Sequence, residues 1–284
     1  MRKELILFLL VGALLGVGKV WHLTKDGFQF RRALLPLTTQ DSPESSEEIA
    51  PLLRQSFYYI GRGHQFYAFE SADGEYVLKL PRYDRYCLPL WRRALSLPWF
   101  LTREEVHRDL DHRFHFLKNS LDLAVSELKE ETALIGVYFT QRSGSLPPVT
   151  LFDRWGRRYL FQPDRYGFVL QKKEPLLIPA WHAAINSGQH EEAQRIFDSF
   201  LNFIAARARK GISNKDPSFI RNYSFDGQRV IQIDTGSFYR KNESWVNSMN
   251  QTLGPFRLWL EAAHPDWIAY LNQRVQTIQA DLSS

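Results

Sequence analysis

Three polar residues in the C-terminal part of the chain have types and spacing that could support catalysis. Asp216 and Asn222 lie in a polar segment after an apolar helical run that ends at Gly211, and Asp234 opens the tripeptide Asp-Thr-Gly directly after a predicted strand over residues 230–233. Carboxylate and carboxamide oxygens can accept hydrogen bonds or bind a hard cation. The alternative is that Asp-x-Gly is an ordinary turn after a strand, which many folds contain.

The order of these residues resembles the catalytic and metal-binding loops of the protein-kinase-like superfamily. That family places a catalytic Asp and then an Asn in one loop, and a second Asp at the end of a later strand. Asp216 and Asp234 are 18 residues apart (234 − 216 = 18), the separation that the family usually keeps. Two features depart from the pattern: residues 213–215 read Ser-Asn-Lys in place of the usual His-Arg, and Asn222 follows Asp216 by six residues instead of five. A one-residue bulge in the loop would accommodate the second departure.

A second region of resemblance lies between residues 57 and 80. Gly61 and Gly63 lie in a turn between two predicted strands, and a third predicted strand presents Lys79 in the sequence Val-Leu-Lys-Leu. The third glycine of the family's Gly-rich turn is replaced by Phe66, a change that the family tolerates. The resemblance implies that Gly61 and Gly63 cover the phosphates of a nucleotide and that Lys79 binds the α- and β-phosphates.

A predicted helix over residues 102–131 would supply the carboxylate that pairs with the lysine in this family. Glu127 and Glu131 both lie near the edge of its apolar stripe. We select Glu127 as the partner of Lys79. The alternative is that both glutamates are solvated charges on the helix surface.

These signals predict an α+β protein with a bilobal protein-kinase-like fold. The small antiparallel-sheet N-lobe is predicted over residues 51–173 and a reduced helical C-lobe over residues 174–284. A helix predicted over residues 181–210 positions the Asp216 segment. Residues 245–253 and 256–282 are predicted to form two or three helices, with breaks at Pro255 and Pro265. The C-lobe is too short for a full protein kinase and resembles those of small-molecule kinases, such as the aminoglycoside phosphotransferases and the lipopolysaccharide-core sugar kinases.

The N-terminal segment, residues 1–37, is predicted to associate with a membrane. A basic head precedes an apolar run over residues 5–18, which is shorter than the roughly twenty residues that span a bilayer. We predict an uncleaved anchor with the folded body in the cytoplasm; the alternative is a cleaved signal peptide and a secreted body. Basic residues on both sides of the run leave its orientation open. Residues 38–50 are polar and Ser-rich and are predicted to form a linker.

Composition limits the classes of partner. The net charge of +5 permits an anionic partner such as a nucleotide or a lipid headgroup, but the basic residues are dispersed and accompany no nucleic-acid-binding motif, so no nucleic-acid partner is expected. The single cysteine excludes an intrachain disulfide framework and a Cys-ligated zinc cluster.

The function implied by the resemblance is ATP- and Mg²⁺-dependent phosphoryl transfer to a small-molecule, sugar or lipid-linked hydroxyl. Asp216 would orient the acceptor hydroxyl, Asn222 and Asp234 would bind Mg²⁺, and Lys79 would hold the nucleotide. The alternative is a pseudokinase or another non-catalytic, membrane-anchored interaction module on the same fold, because the altered residues before Asp216 and the displaced Asn222 would impair turnover before they impaired folding.

Overall fold

The computed structural model describes residues 28–37, 48–86, 103–140, 146–216 and 218–280. Over these ranges the chain has the predicted mixed α+β class and forms two compact units. The first unit contains the residues up to Leu110 and the range Gly136–Lys173. The second unit contains Asp111–Ile135 and the residues from Glu174 onward.

The first unit is built on a seven-stranded sheet in the order β4-β7-β3-β2-β1-β5-β6. Its strands are β1 (Ser56–Arg62), β2 (Phe66–Ser71), β3 (Tyr76–Pro81), β4 (Leu134–Tyr138), β5 (Val149–Phe152), β6 (Arg158–Phe161) and β7 (Phe168–Lys172). The predicted antiparallel arrangement holds for β1 with β2, β2 with β3, β3 with β7 and β5 with β6. It does not hold for β5 and β1, which pair in parallel.

One face of this sheet forms an apolar core, because alternate side chains of a strand point to the same side. Phe57, Phe69, Leu78 and Leu170 lie on four neighbouring strands, and each has no exposed surface. Phe28 packs on this face with its ring centroid 5.3 Å from that of Phe69, so the segment before β1 belongs to the same core.

The second unit is mainly helical in its described residues. Its helices are α1 (Arg103–Glu127, in this unit from Asp111 onward), α2 (Lys129–Thr132), α3 (Leu177–Asn186), α4 (His190–Arg209), α5 (Phe219–Asn222), α6 (Trp245–Ala263) and α7 (Ile268–Ala280). Two short two-stranded sheets lie among them. Strand β8 (Ile212–Asn214) pairs with β11 (Phe238–Arg240), and β9 (Tyr223–Phe225) pairs with β10 (Val230–Gln232).

The helical core is centred on α4. Phe197, Phe200, Leu201 and Ile204 recur at the three- and four-residue spacing that places side chains on one helical face, and all four are buried. They belong to one cluster with apolar residues of α3, α6 and α7. The helix that precedes Asp216 is thus fixed by packing along its length.

Two helix predictions require correction. The predicted helix over residues 181–210 is two helices, because Gly188 adopts a left-handed conformation (φ 73°) that ends α3. Pro255 does not interrupt α6. Leu253, Phe256 and Leu260 lie on both sides of the proline and are all buried, so packing of the continuous apolar face offsets the backbone hydrogen bond that proline cannot donate.

The two units divide the chain differently from the predicted domains. Residues 28–37 and 48–50, predicted as parts of the membrane segment and the linker, belong to the first unit. The second unit resumes at Glu174, where the C-lobe was predicted to begin, but it also includes residues 111–135, which were predicted to lie in the N-lobe. The physical reason is that the buried Ser120 of α1 is hydrogen-bonded to Thr235 and Phe238.

The apolar run over residues 5–18 of the predicted membrane segment lies outside the described residues. Residues 28–37 of that segment are described, and Phe28 packs in the core of the first unit. Among the helices in the described ranges, none has both the length and the apolar character needed to cross a bilayer.

Candidate functional site

Two polar loops lie side by side in the second unit. The Asp216 loop (residues 215–222) runs from β8 to β9, and the Asp234 loop (residues 233–237) runs from β10 to β11. Because β8 pairs with β11 and β9 pairs with β10, each end of one loop is fixed beside an end of the other. The two loops therefore run in opposite directions between the same two strand pairs.

Backbone hydrogen bonds continue this pairing into the loops. The Lys215 N–H donates to the Ser237 carbonyl at 3.0 Å, and the Ile233 N–H donates to the Asn222 carbonyl at 2.8 Å. Asp234 directly follows Ile233, so Asn222 and Asp234 lie at the same end of the paired loops. The hydrogen bond brings the backbone of Asn222 beside that of Ile233, next to Asp234. That the two side chains bind one ion stays a prediction.

Hydrogen bonds within the Asp216 loop bring Asn222 back to Asp216. The Asn214 side-chain oxygen accepts from the Asp216 N–H at 2.7 Å, and the Asp216 carboxylate accepts from the Ser218 N–H at 3.1 Å. The Asn222 Nδ2 donates to the Asp216 carbonyl at 3.4 Å. The single helical turn α5 ends at Asn222. Because the Asn222 Nδ2 is the donor in this hydrogen bond, its amide oxygen is the atom suited to bind a cation.

The Asp234 loop is held by a serine of α1 that the sequence analysis did not identify. The Ser120 hydroxyl donates to the Thr235 carbonyl at 2.7 Å and accepts from the Phe238 N–H at 2.6 Å. Ser120 has no exposed surface. Within the loop, the Asp234 carboxylate accepts from the Gly236 N–H at 3.2 Å. The available sequence signal was a small polar residue beside the buried apolar stripe of α1.

Two buried polar atoms beside Asp216 and Asp234 lack a hydrogen-bond partner within the part of the chain that the structure describes. They are Thr235 Oγ1 and Asn214 Nδ2. Buried polar groups are nearly always paired with protein or with bound water. These two atoms therefore mark positions where a water molecule or a ligand would complete the hydrogen bonding of the loops.

Lys79 lies in the first unit, on a strand that has neighbours on both sides. Its pairing partners are Ala68 of β2 and Val169 of β7. Leu78 and Leu80 are fully buried on one face of the sheet, so the alternation of the strand places the half-buried Lys79 on the opposite face.

Gly63 lies at the turn between β1 and β2, but Gly61, predicted in the same turn, lies within β1 and pairs with Ala68 after an irregularity in the strand register. A methyl group added at Gly61 would have no atom within 4 Å, and one at Gly63 would lie 3.9 Å from the Phe66 carbonyl oxygen. Neither glycine has the positive φ that disfavours other residues. Local packing and backbone conformation therefore do not require glycine at these positions, whereas the close approach of a ligand to the backbone would.

Glu127 and Glu131, the two carboxylates considered as partners of Lys79, both form ion pairs within the second unit. Glu127 pairs with Arg240, and Glu131 pairs with Lys210. Exposed ion pairs of this kind contribute only about 0–1 kcal/mol. Pairing of Glu127 with Lys79 stays a prediction, and it would have to compete with Arg240.

The predicted Mg²⁺ ligands fit the donor chemistry of that ion. Mg²⁺ prefers oxygen ligands, retains several water molecules and commonly uses only one or two carboxylates. Asp234 and Asn222 supply a carboxylate and an amide oxygen. Over the described ranges there is no group of three or more His, Cys, Asp or Glu side chains that could hold a metal ion. That finding does not conflict with a site that is completed by water and phosphate.

No family model and no curated protein sequence matches the chain. Solved structures with some similarity include two of the bifunctional kinase-methyltransferase WbdD. One is 17% identical, with 85% of this chain and 47% of that chain covered and a TM-score of 0.33. The other is 15% identical, with 75% and 44% covered and a TM-score of 0.33. The chain thus spans about half the length of these proteins, and at such low similarity we transfer neither activity nor residue roles from them.

Proposed function

We propose that the protein is an ATP- and Mg²⁺-dependent phosphotransferase that acts on a small-molecule, sugar or lipid-linked hydroxyl. The observation that carries the proposal is the pairing of the Asp216 and Asp234 loops, because it fixes two carboxylates and one carboxamide by backbone hydrogen bonds at both ends. The order of Lys79, Asp216, Asn222 and Asp234 along the chain, which resembles that of the protein-kinase-like superfamily, supports the same function.

Each residue has a defined role in this proposal. Asp234 and the Asn222 amide oxygen hold Mg²⁺, which, when bound, neutralises charge on the phosphate oxygens. Asp216 orients the acceptor hydroxyl and accepts its proton. Lys79 holds the α- and β-phosphates, and the backbone at Gly61 and Gly63 covers them. Positioning and preorganised charge supply most of the acceleration in such reactions.

The protein body is proposed to be tethered to a membrane through residues 1–37 and to lie in the cytoplasm. This location would place the site near lipid-linked acceptors. Carbonate extraction of a membrane fraction would test the attachment to the membrane, since an anchored protein stays with the lipid pellet.

A non-catalytic module on the same fold is the second candidate. Ion pairing of both Glu127 and Glu131 within the second unit favours it, because each carboxylate considered for Lys79 already has a basic partner. The Ser-Asn-Lys segment before Asp216, which replaces the usual His-Arg, also favours a non-catalytic module. This candidate predicts either no nucleotide binding or binding without turnover.

Thermal unfolding with ATP, with and without Mg²⁺, tests the proposal directly. A ligand at a hundred times its Kd stabilises a protein by about 2.7 kcal/mol, which is a readily measured rise in Tm. We expect the wild type to show a Mg²⁺-dependent rise and slow ATP turnover. Asp234→Ala should lose both, whereas Asp216→Asn should keep the rise and lose turnover.

Asp266→Asn is the control, because this aspartate is exposed and distant in sequence from both loops. It should behave as the wild type. A wild type with no Mg²⁺-dependent rise would overturn nucleotide binding. Turnover that survives Asp234→Ala would overturn the assignment of the metal ligand.

A further inference from the structure

Two histidines from different elements face each other in the second unit. His182 lies in α3, and His264 directly follows the end of α6. Their Nε2 atoms are 3.0 Å apart, and their ring centroids are 5.0 Å apart. The residues are 82 positions apart in sequence, so helix packing rather than a local turn brings them together.

Aromatic rings surround the pair. The His264 ring centroid lies 4.9 Å from that of Trp181 and 5.4 Å from that of Trp259. His182 packs on the same two tryptophans. Both histidines are only partly buried, so solvent reaches the site.

We propose that His182 and His264 together bind a divalent late first-row transition metal ion through their Nε2 atoms. Imidazole nitrogens lie about 2.0–2.1 Å from such an ion, so two ligands at angles of about 90–110° have nitrogen atoms about 2.9–3.4 Å apart. The 3.0 Å separation falls in this range, near its tetragonal end. Cu²⁺ and Ni²⁺ favour that geometry.

Binding requires only a change of tautomer and a small rotation of the rings. Without metal, one Nε2–H donates to the other Nε2. With metal, both rings carry their proton on Nδ1 and direct the Nε2 lone pairs at the ion. Water would complete the coordination on the exposed side. The bound ion would connect α3 to the junction after α6, and hard cations such as Mg²⁺, which prefer oxygen, would not replace it.

Tryptophan fluorescence provides a direct assay, because Cu²⁺ quenches nearby indoles and two tryptophans contact the histidine pair. The probe is CuCl₂ added to the untagged full chain at neutral pH in a non-chelating buffer. We expect saturable quenching at one equivalent that EDTA reverses. His182→Gln and His264→Gln should each weaken the apparent affinity by at least about tenfold, since either change removes one of two protein ligands.

His190→Gln is the matched control, because this histidine is exposed on the same unit and is remote in sequence from His264. It should leave the titration unchanged. A second measurement uses the wild type alone: ZnCl₂ should raise Tm, whereas the same concentration of MgCl₂ without nucleotide should not. The absence of saturable quenching in the wild type, or equal quenching in His264→Gln, would overturn the proposal. Neither result bears on Mg²⁺-ATP binding.

Discussion

Replacement of Ser120 by alanine should destabilise the second unit through the Asp234 loop. The hydroxyl makes two buried hydrogen bonds, donating to the Thr235 carbonyl and accepting from the Phe238 N–H. Alanine fits the space but leaves both backbone groups buried without this partner, and each such loss costs about 1–3 kcal/mol. Because a water molecule could recover part of one bond, we expect Ser120→Ala to lower the free energy of unfolding by about 2–4 kcal/mol.

Urea denaturation followed by circular dichroism measures this difference, and Ser126→Ala provides the control. Ser126 lies on the same helix and is exposed, and its hydroxyl bonds only locally to the Asp122 carbonyl at 2.8 Å. Its replacement should change the stability by less than about 0.5 kcal/mol. Equal midpoints for the two variants would show that the serine does not hold the loop. If the loop is held as described, Ser120→Ala should also weaken the Mg²⁺-dependent response to ATP.

Two further predictions concern charged residues of the second unit outside the two loops, Asp226 and Arg207. Asp226 lies in the turn between β9 and β10. Burial raises the pKa of its carboxyl, but hydrogen bonds from the N–H groups of Arg229 and Gln228 and the charge of the Arg229 guanidinium outweigh burial, so the pKa is lowered. Because the pKa is lowered on folding, the carboxylate stabilises the fold above its unfolded pKa of about 3.8, and this contribution is lost as the pH falls through the lower folded pKa. The free energy of unfolding of Asp226→Asn, measured by urea titration, should therefore fall less than that of the wild type between about pH 5 and 2. The buried Arg207 donates to neutral acceptors that include the side chains of Tyr223 and Gln232. Arg207→Lys cannot reproduce this geometry and should destabilise by about 2–4 kcal/mol in the same assay, whereas the exposed Arg209→Lys should have little effect.

The elements that local patterns define could be predicted from the sequence. The strand patterns between residues 57 and 80 predicted the three strands that became β1, β2 and β3, and a turn at Asp73 and Gly74 joins β2 to β3. The structure shows why the turn forms: the Asp73 carboxylate accepts from the Glu75 N–H at 3.0 Å, and Gly74 adopts a φ of 78°. The conformation of such a turn is determined by residues that are adjacent in sequence, so it can be predicted from the sequence alone.

The contacts that position the loops could not be predicted in this way. Strands β8 and β11 are each three residues long, which is too short to show a periodicity in the sequence. They also lie more than twenty residues apart, so no local pattern indicates that they pair. The hydrogen bond from Ser120 to Thr235 joins residues 115 positions apart. Gly188 was included in a helix because the apolar spacing continues on both sides of it, and only its positive φ shows the break.

The late position of Asn222 illustrates how these two kinds of information combine. A motif counts residues from Asp216, and by that count Asn222 is one position too far along the chain. The fold instead fixes Asn222 from the other side, because its carbonyl accepts from the Ile233 N–H next to Asp234. The number of residues between Asp216 and Asn222 therefore does not set the register of Asn222 with Asp234. Spacing is strict where a strand pair fixes the backbone and is relaxed between such points, so the six-residue interval is no argument against a shared ion.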